Sequence, residues 1–258
     1  MAKRVLTYVG KLAVISGLLL GLSMAPAGRT AMAAEPLSDA QEQAIEQLVR
    51  DYIMKHPEVL LESLQAYDNK QRETQEQAAQ KAVAGNRDAL ERDASTPVGG
   101  NPKGDVTIVE FFDYRCGYCK KVLPSVQELL KTDGNIRVVF KEFPILGPDS
   151  MTASRAALAA WKIAPDKYVA LHVALMETRG DLSEARVLET AKKVGIDPEK
   201  LKAAMDDPQI KAQIERNAAL AQTLQIGGTP AFIIGGKLVP GAVDLTTMRE
   251  MVKAARAS

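Results

Sequence analysis

Residues 38–67 carry apolar side chains at helical spacing. The large apolar side chains follow the i, i+3, i+4, i+7, i+8 pattern of one helix face: Ile45, Leu48, Val49, Tyr52 and Ile53. Ser38 or Asp39 can cap the start of this helix, and His56-Pro57 interrupts it because proline cannot continue a helix interior. A second, short helix then carries Val59, Leu60, Leu61 and Leu64. The pattern predicts two helices within residues 38–67 that share an apolar stripe.

Residues 68–97 are almost entirely polar. Val83 and Leu90 are the large apolar side chains in this stretch, which is otherwise rich in Ala, Gln, Glu and Lys. Such a composition favours helix, but a helix that is polar nearly all round is typical of a spacer that crosses solvent. The run TPVGGNPKG (96–104) then breaks the pattern, and we predict a domain boundary near Pro97.

Beyond the boundary the pattern alternates between strand and helix. DVTIVEFFDY (105–114) and NIRVVFKEF (135–143) are apolar and β-branched, which predicts two strands joined by a helix from Cys116 to about Lys131. Several helices fill residues 148–224. TPAFIIGGKLVPG then predicts a hairpin turned at Gly235-Gly236, followed by a final helix capped by Asp244. This order predicts an α/β domain over 98–258, with a mixed sheet and a helical insertion.

The first 34 residues have the pattern of a secretory signal. MAKRVLTYVGK is basic, Leu12–Leu22 is an apolar run, and a small-residue region contains Ala31-Met32-Ala33, so we predict a signal peptide over 1–33 cleaved near Ala33 or Ala34. An uncleaved anchor is the alternative, but the run is much shorter than the roughly 20 residues of a spanning helix. We therefore expect the mature protein in the periplasm, where cysteine pairs can persist.

Composition and charge add little about partners. The chain has 33 basic and 32 acidic residues and a formal net charge of +1, so no overall field attracts nucleic acid. The chemistry therefore has to come from individual residues, and only two cysteines are present, Cys116 and Cys119.

Three interpretations of the cysteine pair can be compared. A structural disulfide across so short a loop would contribute only about 2 kcal/mol, which a chain of this size does not need. A zinc site needs four ligands, and the two histidines, His56 and His172, lie in distant segments, so we predict no metal and no cofactor. Copper(I) on the two thiolates stays open. The third interpretation is a redox pair.

The position of the pair favours redox chemistry. Cys116 lies where a strand ends and a helix begins, where free backbone N–H groups and the helix dipole stabilise a thiolate. Cys119 follows three residues later, on the same helix face. The expected sequence is attack by Cys116 on a disulfide, followed by resolution of the mixed disulfide by Cys119.

The surrounding motifs resemble a known family. VEFFDYRCGYCKK together with GGTPAFIIGG resembles the DsbA-like periplasmic thiol:disulfide interchange proteins, which have a thioredoxin fold with a helical insertion. The resemblance implies that Thr229-Pro230 is a cis peptide beside the cysteines, with the Thr229 backbone pairing to an extended substrate; an ordinary proline at the start of a strand is the alternative. Gly117-Tyr118 departs from the proline–histidine pair of the strongly oxidising members and looks more like the isomerase-type branches.

Two charged residues complete the candidate site. Glu110, six residues before Cys116, stands where the family pattern has an acidic residue. If it is buried, its pKa is raised and it can exchange protons with Cys119; a strand-edge glutamate facing water is the alternative. Lys141, on the next strand, is a candidate to pair with Glu110.

The amino-terminal stripe also needs a partner surface. IEQLVRDYIMKHPEVLLESLQ resembles the oligomerisation region of the ScsC-type members, some of them linked to copper tolerance. We expect self-association through residues 38–67 as a dimer or trimer; folding back onto the catalytic domain is the alternative. The function expected is an oligomeric disulfide isomerase or reductase that acts on misfolded secreted proteins with cysteines and is recycled by a membrane redox partner. A monomeric oxidase, or a copper(I)-binding or client-holding protein, are the competing functions.

Overall fold

The computed structural model describes residues 36–257. The predicted signal segment and its cleavage site near Ala33 or Ala34 lie outside the described residues. The chain divides into two compact units, and the division falls between Leu61 and Glu62. None of the helices in 36–257 combines the length and the apolar composition that a membrane span requires.

Two helices form the amino-terminal part. Helix α1 spans Asp39–Lys55, begins with a capping box in which the Ser38 N–H donates to Gln41 Oε1 at 2.9 Å, and buries none of its residues. Helix α2 spans Glu58–Gly85, so the expectation of a short second helix is wrong. The reason is that no glycine or proline interrupts the sequence between Glu58 and Gly85, and its Ala, Gln, Glu and Lys residues are strong helix formers.

A mixed five-stranded sheet forms the centre of the second unit, as the sequence predicted. The strands are β1 (Val98–Gly100), β2 (Val106–Phe112), β3 (Ile136–Glu142), β4 (Ala231–Ile234) and β5 (Lys237–Pro240), in the spatial order β1-β3-β2-β4-β5. Strands β2 and β3 are parallel, and the other pairs are antiparallel. Strand β1 was not predicted, because its sequence, VGG, is short and glycine-rich.

Helices surround this sheet. Helix α4 (Gly117–Thr132) makes the crossover between the two parallel strands, and helix α10 (Leu245–Ala257) closes the chain. The predicted insertion between β3 and β4 contains α5 (Pro148–Ile163), α6 (Tyr168–Glu177), α7 (Glu184–Lys193), α8 (Pro198–Met205) and α9 (Pro208–Thr223). The thioredoxin-type fold with a helical insertion is thereby confirmed.

The sheet separates two apolar clusters, because successive side chains of a strand point to opposite faces. Ile108 and Phe112 of β2 belong to the larger cluster, under α4 and the insertion. The smaller cluster on the other face contains Phe111, and it also contains Val83 of α2 and Leu90 of the short helix α3 (Arg87–Glu91). The polar spacer was expected to cross solvent, but its carboxyl end packs on the sheet because these two residues are buried there.

Candidate active site

The cysteine pair lies where β2 leads into α4. Cys116 is the N-cap residue of α4, and Cys119 lies in its first turn. Both thiols are free, with exposed fractions of 6% for Cys116 and 1% for Cys119. The first thiol of the motif is therefore the one nearer to solvent.

A distant loop meets this pair. The Cys116 thiol donates to the carbonyl oxygen of Thr229, with an Sγ–O distance of 3.1 Å, although the two residues are 113 positions apart in the chain. The Thr229-Pro230 peptide bond is cis, as the resemblance implied. The first sulfur and the loop before β4 thus form one edge of the site.

Cys119 is shielded. Burial raises the pKa of its thiol well above the ordinary value, and the nearby charges of Glu110 and Cys116 raise it further. Its thiol also lies within hydrogen-bonding reach of the Cys116 side chain and of the Asp113 backbone, and the Asp113 contact opposes the rise. Cys119 is therefore held as a neutral thiol, and it needs a base before it can act as a nucleophile.

Glu110 is the carboxyl group that acts electrostatically on Cys119. It lies in the middle of β2, is 4% exposed, and burial raises its pKa to about 8. A carboxyl group with this pKa changes its protonation state near neutral pH, and its charge acts on the Cys119 thiol. The strand-edge alternative is wrong, because Glu110 is paired with Phe140 on one side and Phe232 on the other.

The expected pairing of Lys141 with Glu110 is not found. In the parallel ladder Lys141 lies opposite Phe111, so its side chain leaves the sheet on the face opposite to Glu110. Its Nζ donates to the Ala89 carbonyl oxygen at 2.7 Å and to Thr96 Oγ1 at 2.9 Å. Lys141 therefore ties the end of the spacer to the sheet, and burial lowers its pKa to about 8.

The two residues between the cysteines face outward. Tyr118 is 65% exposed at the start of α4, two residues after Cys116. Apart from its chain neighbours and its own helix backbone, a Cβ atom on Gly117 would meet no atom within 4 Å, so packing does not require glycine there. The open space is available to a bound chain.

Asp113 was not singled out from the sequence, yet it organises the loop before the cysteines. Its Oδ1 accepts from the Arg115 N–H at 2.7 Å and from Ser150 Oγ at 2.7 Å. Its Oδ2 accepts from the N–H groups of Ile145 and Leu146 at 2.8 and 2.9 Å. The buried carboxylate thereby links the active-site loop to the loop after β3. An aspartate directly after a buried strand was the available signal.

A second polar group missed from the sequence lies below the site. Glu142 Oε1 accepts from the hydroxyls of Tyr114 and Tyr168, both at 3.2 Å, and Glu142 Oε2 accepts from Ser154 at 2.7 Å. The Tyr114 hydroxyl also lies 3.2 Å from Nδ1 of His172. Burial raises the pKa of Glu142 to about 8. The hydrogen bonds from the three hydroxyls act in the opposite direction, because they favour the carboxylate. This network fixes Tyr114, two residues before Cys116.

These buried groups predict how stability depends on pH. The pKa values of Glu110 and Glu142 are raised from 4.5 to about 8, so the folded protein retains protons that the unfolded chain has lost between these values. Burial instead lowers the pKa of His172 from 6.5 to about 3. The stability that the neutral imidazole contributes is therefore lost as the pH falls from 6.5 towards 3. We expect the free energy of unfolding, measured by urea titration, to decrease from pH 6.5 to pH 8. An increase over that range would contradict the assignment of both glutamates.

The Glu110→Gln substitution tests the proton-exchange role directly. An amide cannot take the Cys119 proton, so we expect resolution of a mixed disulfide at pH 8 to slow by about 100-fold, the lower end of what a positioned base contributes. The inflection near pH 8 in the rate profile should disappear as well. Stopped-flow measurement of client release gives both quantities, with Glu250→Gln, on the exposed side of α10, as the control. An unchanged profile would remove Glu110 from the mechanism.

Metal ligands do not cluster near the thiols. Within residues 36–257, no group of three or more His, Cys, Asp and Glu side chains is arranged to hold a metal ion.

A free dithiol at the start of the helix after a central parallel strand, in contact with a cis-proline loop, defines the thioredoxin-fold class of thiol-disulfide oxidoreductases. Residues 107–253, more than half of the 258, match the family described as the DSBA-like thioredoxin domain. The chain therefore belongs to the DSBA-like thioredoxin family. Residues 41–74 match the domain described as the copper resistance protein ScsC N-terminal domain.

Solved structures and characterised relatives agree with this membership. ScsC from Proteus mirabilis, in a transitional conformation, is 34% identical with a TM-score of 0.65, over 86% of this chain and 99% of that one. A thioredoxin-like oxidoreductase from Silicibacter pomeroyi is 47% identical with a TM-score of 0.64, over 67% of this chain and 99% of that one. The thiol:disulfide interchange protein DsbA of Bordetella parapertussis is 29% identical, over 66% of this chain and 78% of that protein.

Proposed function

We propose that this protein is an oligomeric thiol-disulfide isomerase or reductase that acts on misfolded secreted proteins with cysteines. The observation that carries the proposal is the contact of Cys116 Sγ with the Thr229 carbonyl oxygen at 3.1 Å, with Cys119 one turn away on the same helix. One sulfur therefore borders the loop where an extended chain can pair, and the second is shielded behind it.

The reaction begins at Cys116. Its thiolate attacks one sulfur of a client disulfide, the client S–S bond breaks, and the other client sulfur leaves as a thiolate. Cys116 is then joined to the client, and it no longer donates to the Thr229 carbonyl oxygen. That oxygen becomes available to a backbone N–H of the client, while Tyr118 contacts the bound chain beside it.

Two outcomes follow from the mixed disulfide. In isomerisation, another client thiolate attacks the client sulfur and releases Cys116 unchanged. In reduction, Glu110 accepts the Cys119 proton, and the Cys119 thiolate attacks Cys116 Sγ; the client leaves as a thiolate and the pair becomes a disulfide. A membrane redox partner then reduces the pair by supplying two electrons and two protons.

Self-association through residues 38–67 is the second part of the proposal. Helix α1 leaves its apolar stripe exposed, including Leu48 at 68% and Tyr52 at 53%, and the exposed Leu60 and Leu61 follow in α2. The match of residues 41–74 to the ScsC N-terminal domain supports a dedicated module here. A dimer or trimer would bring several dithiols to one client and raise their effective concentration.

The compartment follows from the same proposal. Free cysteines that exchange with client disulfides need an environment in which disulfides persist, and we place the mature protein in the periplasm after removal of residues 1–33. We propose a helical module over 38–67, a linking segment over 68–97 whose carboxyl end packs on the sheet, and a catalytic domain over 98–258.

Refolding of scrambled ribonuclease separates the candidate functions. An isomerase, kept reduced in a glutathione buffer, restores ribonuclease activity to the scrambled substrate. A monomeric oxidase would instead act on reduced ribonuclease and leave the scrambled form inactive. A copper(I)-holding protein would bind one equivalent tightly through Cys116 and Cys119 and show no turnover on either substrate. Either of the last two results would replace the proposed function.

A further inference from the structure

A groove borders the cis-proline loop on the side away from α4. It has a volume of about 440 Å³ and lies within the unit that begins at Glu62. One wall is the loop that leads into β4, including Ile226, Thr229 and Pro230, and the other wall is helix α2, through Gln75 and Glu76. The helix expected to act as a spacer thus borders the reactive edge of the domain.

Thr229 links the groove to the reacting sulfur. The carbonyl oxygen of this residue accepts the Cys116 thiol at 3.1 Å, and the same residue lines the groove. The Pro230 carbonyl oxygen is already engaged by the Gly241 N–H at 2.9 Å, so Thr229 is where an incoming backbone can pair. An extended client joined to Cys116 and paired at Thr229 would therefore lead its neighbouring residues along α2.

The charge of the groove is carried by one residue. Glu76 is the one ionisable side chain among the residues that line it, and the rest of the lining is apolar or carries uncharged amide, hydroxyl or backbone groups. Glu76 is exposed, and it makes no salt bridge within residues 36–257. A cationic side chain on the client would give this carboxylate a partner, whereas an anionic one would be repelled.

We propose that α2 forms one wall of the client-binding groove and that Glu76 favours clients with lysine or arginine close to the reacting cysteine. The inference rests on the proposed function, since it assigns a specificity to the same exchange site. The occupant is an extended cysteine-containing polypeptide that is basic near its cysteine. The effect belongs to client selection, and Glu76 touches neither sulfur.

The test compares peptides that differ in one charge. Two mixed-disulfide peptides carry Lys or Glu two residues from the cysteine, and their rates of exchange with the reduced, full-length protein are measured at low salt. An exposed charge pair is worth up to about 1 kcal/mol, so we expect the Lys peptide to react about 2- to 5-fold faster. Glu76→Gln should bring this ratio to about one, Glu76→Lys should invert it, and added salt should reduce it.

The matched control is Gln77→Lys. It makes the same change in net charge as Glu76→Gln, one residue further along α2, on an exposed position outside the groove. The control should lower the ratio less than Glu76→Gln does, because its added charge lies outside the groove. The inference would be overturned if exchange continues but both variants lose the preference for the Lys peptide equally. It would also be overturned if Glu76→Gln leaves the ratio unchanged. Absence of exchange with either peptide in the wild-type protein would instead refute the proposed function.

Discussion

The Cys116→Ala variant is expected to lose all catalysed reshuffling of scrambled ribonuclease, down to the rate of the glutathione buffer alone. Cys116 is the sulfur nearer to solvent, and it alone contacts the Thr229 carbonyl, where a client can pair. Without it no mixed disulfide forms at the site, and Cys119 cannot substitute because it is 1% exposed and its pKa is raised by burial.

The matched variant for this experiment is Cys119→Ala. It keeps the attacking sulfur, so it should still form mixed disulfides and should retain part of the isomerase activity, while net reduction of clients is lost. Far-ultraviolet circular dichroism of both variants establishes that the fold is intact. Full activity of Cys116→Ala, or equal residual activity of the two variants, would refute the division of roles.

Disruption of the amino-terminal stripe is the second change with a large expected effect. Leu48→Glu introduces a charge among the exposed apolar side chains of α1. Burying that charge in an interface is costly, so we expect sedimentation to show a single subunit in place of a dimer or trimer. Isomerase activity should fall by about tenfold or more, since several sites no longer act on one client, whereas reduction of a small disulfide should be unaffected.

Gln43→Glu is the control for this change. It adds the same charge to α1 at an exposed position on the opposite side of the helix from the stripe. We expect its mass and activity to match those of the wild type. A wild-type protein that sediments as a monomer would contradict self-association outright, and a monomeric Leu48→Glu variant with full isomerase activity would separate assembly from function.

Most of the fold could be predicted from local sequence patterns. The strands around the motif and helix α4 follow from apolar runs and a strand–helix junction, so the positions of Cys116 and Cys119 could be predicted from spacing alone. The length of helix α2 was underestimated because a polar helix has no apolar period that marks where it ends. Strand β1 was missed because three residues with two glycines carry no strand signal.

Contacts between distant segments were harder to foresee. No local rule brings Thr229 to Cys116, and only the family resemblance pointed to it. The predicted pairing of Lys141 with Glu110 was wrong because the parallel register places Lys141 opposite Phe111. That register cannot be known before the strands are aligned. The network around Glu142 went unnoticed because its members come from β3, the loop before α4 and two helices of the insertion.

The central claim is that Cys116 captures the client and Cys119 resolves the captured state. The most direct measurement is mass spectrometry of the disulfide adducts formed when each single-cysteine variant is mixed with scrambled ribonuclease. We expect the Cys119→Ala variant to accumulate a stable adduct through Cys116 and the Cys116→Ala variant to accumulate none. An adduct that persists on Cys119, with none on Cys116, would contradict the account.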